Sequence, residues 1–393
     1  MRNETNNKEV LKENKSMSTF IQLHLLTSYP PSNLNRDDLG RPKTAVMGGK
    51  TRLRVSSQSL KRAWRTSELF KNSLDGHIGT RTRRLGKEII ISELPKDNQM
   101  SEVWANDILA VYGEPDNEQG MLKQLVFVSP AEEMVLKDFL KEVKAVLSDK
   151  TAGGEAVQEI LSLQVKRNEK TKAEDKKKIT NQIVGKLRGL LLIAKITSAF
   201  DIAMFGRMLA SSPVHNIEAA VQVAHAITVH EVAVEDDYFT AVDDLNRGKE
   251  DMGAGHIGET EFAAGVFYLY ACINRDLLVE NLGGDKALAD KALVTLVEAA
   301  AKIAPSGKQN SFASRARTSY MLAEKGSDQP RSLSVAFLKS VKGEDILSSA
   351  IIELEKRRDN FDKVYGPCYD DFMKLNAETG EGSLNEILSF VRG

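Results

Sequence analysis

Residues 31–67 read PSNLNRDDLGRPKTAVMGGKTRLRVSSQSLKRAWRTS, and they lay out a loop, a strand and a helix in that order. The loop is polar, with Asn33, Asn35, Arg36, Asp37 and Asp38. A Gly48-Gly49 turn leads into Thr51–Val55, where Arg52 and Arg54 alternate with Leu53 and Val55. That period of two predicts a strand. Ser56 or Ser57 marks a helix start, because a serine oxygen accepts from the free N–H groups of the first turn. Leu60, Ala63, Trp64 and Ser67 then follow the i, i+3, i+4, i+7 spacing of a buried face. Gln58, Lys61, Arg62 and Arg65 follow the same spacing on another face.

A cationic stripe on one helix is usually a solvated face. Here the cations lie on a loop, a strand and a helix that can converge, and only Asp37 and Asp38 oppose them. Gln58 has no role in an ion-pair stripe but can bond a sugar or a phosphate. Loop, strand and helix N-terminus together form an anion site, and a repeating anion such as a nucleic-acid backbone would use all of it.

The rest of the chain bounds the options. Its 393 residues suffice for two or more compact units, and 41% are hydrophobic, enough for a sizeable core. The formal net charge is -1, so a polyanion would meet a local patch rather than a basic protein. Cys272 and Cys368 are far apart, with no C-x-x-C pair, which fits a reducing cytoplasm. No apolar run is long enough to span a membrane. Residues 1–17 are polar and lack a signal core, and are expected to form a disordered extension.

Residues 18–27 alternate as a half-buried strand, with His24 structural or at the surface. From 67 to 200 the spacing turns helical, with helices expected at 88–94, 102–112, 132–147 and 183–203. The stretch 166–180 is lysine-rich. FGRMLASS at 205–212 shows the pair Arg207-Met208, and residues 220–229 alternate as a strand. His225 and His230 fall on opposite faces of such a strand and cannot share a metal. Residues 231–260 are acidic and turn-rich, with Tyr238-Phe239 and Val242 inside, and 261–273 return as a strand. Two strands with a long polar connection suggest a projecting hairpin. An aromatic pair on such an arm docks on something, or else the segment is a folded-back loop whose aromatics seal the local core. SGKQNSFASRARTSY at 306–320 is a second basic loop, with Arg315 and Arg317 alternating into a strand, and 331–341, 344–365 and the tail from Tyr369 are expected to be helical.

Enzymatic machinery is missing from the motifs: there is no phosphate-binding G-x-x-x-x-G-K-[ST], no H-E-x-x-H and no G-x-S-x-G. The rival to a binding protein is a metal-dependent nuclease that gathers a divalent cation on Asp236, Asp237, Asp243 and Asp244. A plain structural oligomer would leave the basic loop without a purpose.

NLNRDD at 33–38, GGK-x-R-x-R at 48–54 and SSQSLKRA at 56–63 strongly resemble the backbone subunit of the type I-E CRISPR Cascade, the CasC family. FGRMLAS at 205–211, AHAITVHEV at 224–232, DYFTAVDDL at 237–245 and HIGETEF-x-x-GVFY at 256–268 follow in the family's order. The resemblance implies an α+β fold. An RRM-like (ferredoxin-like) antiparallel-sheet palm, from 18–66, 201–230 and 261–393, would carry helical fingers at 67–200 and a β-hairpin thumb at 231–260. It implies a non-catalytic subunit, without cofactor or metal, that stacks head to tail on crRNA and presents the guide to target double-stranded DNA. Its partners would be further copies of itself and the large PAM-reading, small, 5′-handle-binding and guide-processing subunits. By position, Asn35, Arg36, Lys43, Lys50, Gln58, Lys61, Arg62 and Arg65 match guide-backbone contacts, and the basic cluster adds Arg52. Met208, beside Arg207, matches the residue that wedges at a kinked nucleotide, and Phe239 matches the thumb residue that packs there, with Thr240 and Val242 lining the crossing. Tyr238 departs from the family's usual Trp. Lys170, Lys172, Lys176, Lys177 and Lys178 are candidates for sequence-independent DNA contacts.

Overall fold

The computed structural model describes residues 18–149, 151–193, 196–209, 211–241 and 256–392. The expected extension at 1–17, Val242, Asp243 and Asp244 lie outside them. The described residues divide into two compact units, one from those within 18–70, 221–277 and 290–392, the other from those within 71–220 and 278–289. Arg207 and Met208 therefore belong with the mostly helical second unit, not with the sheet as the resemblance implied.

The first unit is an antiparallel sheet covered by helices on both faces. Its strands are β1 (Phe20–Ser32), β2 (Thr44–Met47), β3 (Lys50–Val55), β4 (Val221–Val223), β5 (Ala226–Thr228), β6 (Glu235–Ala241), β7 (His256–Asn274), β8 (Tyr320–Gly326) and β9 (Asp371–Asn376). They run β9-β8-β1-β7-β5-β3-β2, with β4 and β6 also paired to β7. The expected continuous strand at 220–229 is broken: residues 224–225 separate β4 from β5.

β7 does two jobs. Its C-terminal part lies beside β1, from Phe20↔Asn274 to Ser32↔Ala263. Its first residues run past the end of β1 and pair with β6, from Glu235↔Phe262 to Ala241↔His256. The hairpin anticipated from sequence is thus the overhang of a central strand.

Helices α1 (Ser57–Arg65) and α2 (Lys286–Lys302) lie on one sheet face, where Leu60, Trp64 and Ala300 line a small crevice with Tyr29, Phe267 and Leu269. On the other face Leu26, Tyr268 and Leu322 pack with Phe337 and with Ala350, Ile351 and Leu354 of α3 (Ile346–Tyr365). With both faces covered, β1 is buried on both sides, not half-buried as its alternation suggested. His24 is fully buried, with Nδ1 2.9 Å from the Tyr268 hydroxyl and Nε2 3.3 Å from Glu324. Burial raises the Glu324 carboxyl, but hydrogen bonds from His24 and Arg331 outweigh it and hold the group down at about 2.

Two helical expectations fail in this unit. Residues 331–341 hold only a 3-10 turn, Ser334–Phe337, and the tail begins as β9 before α4 (Leu384–Arg392). β9 finds a free sheet edge in β8, from Tyr320↔Asn376 to Lys325↔Asp371, and that tertiary pairing overrides local propensity.

The second unit packs helices Gln99–Tyr112, Pro130–Ser148, Glu155–Glu169 and Ala173–Leu191 around one apolar core, with a two-stranded pairing of Thr80–Thr82 and Val126–Val128. Ser129 and Glu132 form a reciprocal capping box at the start of the second of these. The apolar stretch expected as one helix over 183–203 ends at Leu191 and resumes at Phe200–Phe205.

Candidate nucleic-acid interface

The basic stretch folds as its residues dictate. Ser56 Oγ accepts from Ser59 N and caps α1, while the Asn35 side-chain oxygen accepts from Ser56 N at 2.9 Å, tying the loop to the helix start. Asp37 Oδ1 accepts from Leu39 N and Arg41 N, so this acid shapes the loop. Asn33 is buried, and its Nδ2 donates to Gly40 O and Glu261 O, both at 2.9 Å. The turn between β2 and β3 needs Gly48: its φ is +60°, and a Cβ there would sit 1.8 Å from Leu338 O.

Around this frame, Arg36 is exposed and Lys43 half-exposed. On α1, Leu60, Ala63 and Trp64 are buried, Gln58 and Arg62 are exposed, and Lys61 and Arg65 are half-buried. Burial lowers the Lys61 ammonium below its usual range, since desolvation disfavours the charged form. Lys50 pairs with Glu231 at 3.0 Å.

Two arginines expected at the interface are corrected. Arg52 is fully buried under the 3-10 turn, with Nη1 donating to Thr228 O and Nη2 to Phe337 O, each at 3.1 Å. Arg207 is also buried, with Nη1 2.6 Å from Glu132 Oε2 and Nη2 donating to His215 O at 3.2 Å. Both guanidiniums are spent on their own unit. Met208, next in the chain, is 79% exposed.

Residues that were not among the expected guide contacts join the cluster. Arg54 stays half-exposed and donates to His225 Nδ1 at 2.8 Å. Desolvation, then the charges of Arg54 and Lys43, push His225 below its usual range. The signal was present: Arg54 lies two residues from Arg52 on the same strand, but only the fold shows which one is roofed over.

The second basic loop is fastened to the first. A Cβ on Gly307 would lie 2.2 Å from Leu34 O. Lys308 has a left-handed backbone and donates from Nζ to Thr260 Oγ1 at 2.9 Å, at the base of the hairpin. Phe312 packs on Phe262, with ring centroids 5.9 Å apart. A left-handed conformation is costly for a non-glycine residue, and Ala313 shares it. Arg315 and Arg317 follow, both exposed.

In the hairpin, cross-strand partners share a face. Phe239 lies opposite Gly258, and a Cβ on that glycine would meet the Phe239 ring at 2.3 Å, so the missing side chain makes room for it. Phe239 is 44% and Tyr238 64% exposed, and Thr240 is exposed. Asp236 and Asp237 are neighbours on β6 and point to opposite faces. Among the described residues no group of three or more His, Cys, Asp or Glu side chains is placed to hold a metal ion. In the second unit, Lys170 and Lys172 flank the turn between helices Glu155–Glu169 and Ala173–Leu191, and Lys176, Lys177 and Lys178 occupy the start of the latter, all exposed.

The arrangement offers many donors, little that reads a base edge, and exposed aromatics. That is chemistry for gripping a strand independently of its sequence. Among the described residues no helix is long and apolar enough to cross a membrane.

A family model described as CT1975-like protein, a Cas family, matches residues 21–387. No curated protein matches. A solved chain described as "CRISPR RNA-guided surveillance complex, pre-nicking" shares 30% identity, with a TM-score of 0.73, over 95% of this chain and 100% of that one. A second, described as "CRISPR RNA-guided surveillance complex", shares 26% identity with a TM-score of 0.55, over 95% of this chain and 98% of the other.

Proposed function

We propose, from the premise that this chain belongs to the CT1975-like Cas family, that it is a non-catalytic crRNA-binding backbone subunit of a type I-E Cascade. Copies stack head to tail along the guide and present it to target DNA. The observation that carries this reading is a convergence within the first unit. The loop at 33–43, the outer face of α1 and the second basic loop at 306–317 are all anchored around the base of one projecting hairpin. The likeness to chains of RNA-guided surveillance complexes supports it.

The sheet supports an RRM-like palm. Its central strands run β8-β1-β7-β5, with α1 following β1 and α2 following β7, which is the β-α-β-β-α-β order of a ferredoxin-like fold once β4 and β5 are counted as one broken strand. In this reading, the helical unit is the fingers and the β6–β7 overhang is the thumb. Guide phosphates lie on Asn35, Arg36, Lys43, Arg54, Gln58, Lys61, Arg62 and Arg65. Sequence is then read by base pairing, and the protein needs to hold only the backbone.

The test is purification of the chain with a guide transcript, followed by incubation with RNA or DNA and Mg²⁺ or Mn²⁺. Protected RNA of defined length, uncleaved, is the expected result. Cleavage that disappears in Asp243→Asn would overturn the reading in favour of a metal-dependent nuclease.

A further inference from the structure

The sheet face that carries α3 lies opposite the one that carries α1 and its basic residues. On it, a groove of about 750 Å³ runs between α3 and the segment 335–342. One side of α3 makes its floor, since Ser349, Ile352, Glu353 and Lys356 follow the i, i+3, i+4, i+7 spacing of a single helix face. The other wall is pinned in place. Phe337 O accepts from Arg52 Nη2 at 3.1 Å, Ser340 Oγ accepts from Glu231 N at 2.8 Å, and Val341 N donates to Val229 O at 3.0 Å. The groove is therefore formed before anything enters it.

Its lining has two characters. Ala336 and Phe337 are buried in the core, which leaves Val335 and Leu338 facing out, 42% and 55% exposed. Ile352 joins them at 63%. Exposed apolar side chains scattered singly need no explanation, but these three line one groove. Lys339, Lys342, Lys356 and Arg357 line it too, and Glu353 is the one acid among its described lining residues. Glu353 approaches Lys356 only at 4.0 Å, with both side chains largely in water, so it offsets little of that charge.

A phosphate strand would use the cations and leave the three apolar side chains in water. An apolar peptide would leave the cations unpaired. A helix with an apolar stripe flanked by carboxylates uses both, and its stripe repeats at the spacing of the α3 face beneath it. Residues 1–17 of this chain carry four cations against three carboxylates, so that segment does not complement the groove.

We propose that this groove docks an acidic amphipathic helix of a separate protein. The proposal goes beyond guide binding, in a different surface and a different class of ligand. Because the groove lies across the sheet from α1, the helix and a strand on α1 are held at the same time.

The probe is a fluorescein-labelled, end-capped peptide of about 18 residues, five helical turns, with Leu on one face and Glu on its flanks. Its anisotropy is read against the full chain. Wild type binds it, and Lys356→Glu with Arg357→Glu weakens binding at least about tenfold. Ile352→Ser with Leu338→Ser does the same. A peptide with Lys in place of Glu binds the charge-reversed variant more tightly than wild type. Guide-RNA affinity stays that of wild type in both variants, and circular dichroism melts matching wild type exclude loss of folding. No binding by wild type, or equal binding by wild type and both variants, overturns the proposal. A peptide with Ser in place of Leu that binds as tightly reduces the groove to a charge effect and overturns it as well. Loss of guide-RNA affinity in the charge-reversed variant makes the groove a nucleic-acid site. Sedimentation showing RNA-free wild type self-associated and both variants monomeric gives the groove to a second copy. Either result overturns the proposal.

Discussion

Lys61→Gln with Arg65→Gln separates a phosphate-gripping helix face from a solvated one. The two side chains are one turn apart on α1, half-buried, and on the face away from Leu60 and Trp64. Glutamine keeps a polar side chain of intermediate length there and removes the charge. Each phosphate contact on a single strand contributes about 0.7 to the slope of log affinity against log salt, so losing two makes the slope shallower by about 1.4. Over a fourfold rise in salt, the fall in affinity then shrinks by about sevenfold. Fluorescence anisotropy with a guide-length RNA across a salt series reads this directly. Arg52→Leu is the control. It leaves the buried carbonyls of Thr228 and Phe337 without their donors. Folding stability is expected to fall by about 2–4 kcal/mol, as each orphaned carbonyl costs about 1–3 while the burial cost of the guanidinium is relieved. The salt slope of the folded variant stays that of wild type. An unchanged slope in the Lys61/Arg65 variant would refute the assignment of the α1 face to phosphate.

Three further outcomes are expected. RNA affinity continues to rise as pH falls below the ordinary histidine range, about 6.5, and this rise is lost in His225→Ala, because desolvation and then Arg54 and Lys43 hold the free imidazole's pKa down, and a bound phosphate favours its protonated form; titration of affinity from pH 8 to 5 checks it. Phe239→Ala with Met208→Ala weakens ordered assembly without lowering the melting temperature. Chemical probing of the guide then loses a one-per-subunit reactive nucleotide, since stacking on an aromatic is worth about 1–3 kcal/mol for any base. Replacing Lys170, Lys172, Lys176, Lys177 and Lys178 by Ser slows capture of duplex DNA in a mobility-shift assay and leaves guide binding intact; loss of guide binding would assign these lysines a structural role instead.

Sequence alone determined the parts that depend on local pattern. The serine cap and buried face of α1, the Gly48 turn and the existence of strand β3 follow from neighbouring residues, and each appears where its pattern places it. The ordered family blocks made the class of protein legible too. What needed the tertiary structure was direction and partnership. Arg52 and Arg54 have the same local pattern, yet the 3-10 turn almost three hundred residues later covers one and leaves the other beside His225. Arg207 and Met208 are adjacent, but a buried carboxylate from Glu132 takes the first and leaves the second exposed. The tail turned from helix to strand because β8 offered an edge, and the strand register is what sets Gly258 opposite Phe239. Long-range pairing decides which donors are consumed inside the fold and which remain for a ligand, and no local pattern encodes that choice.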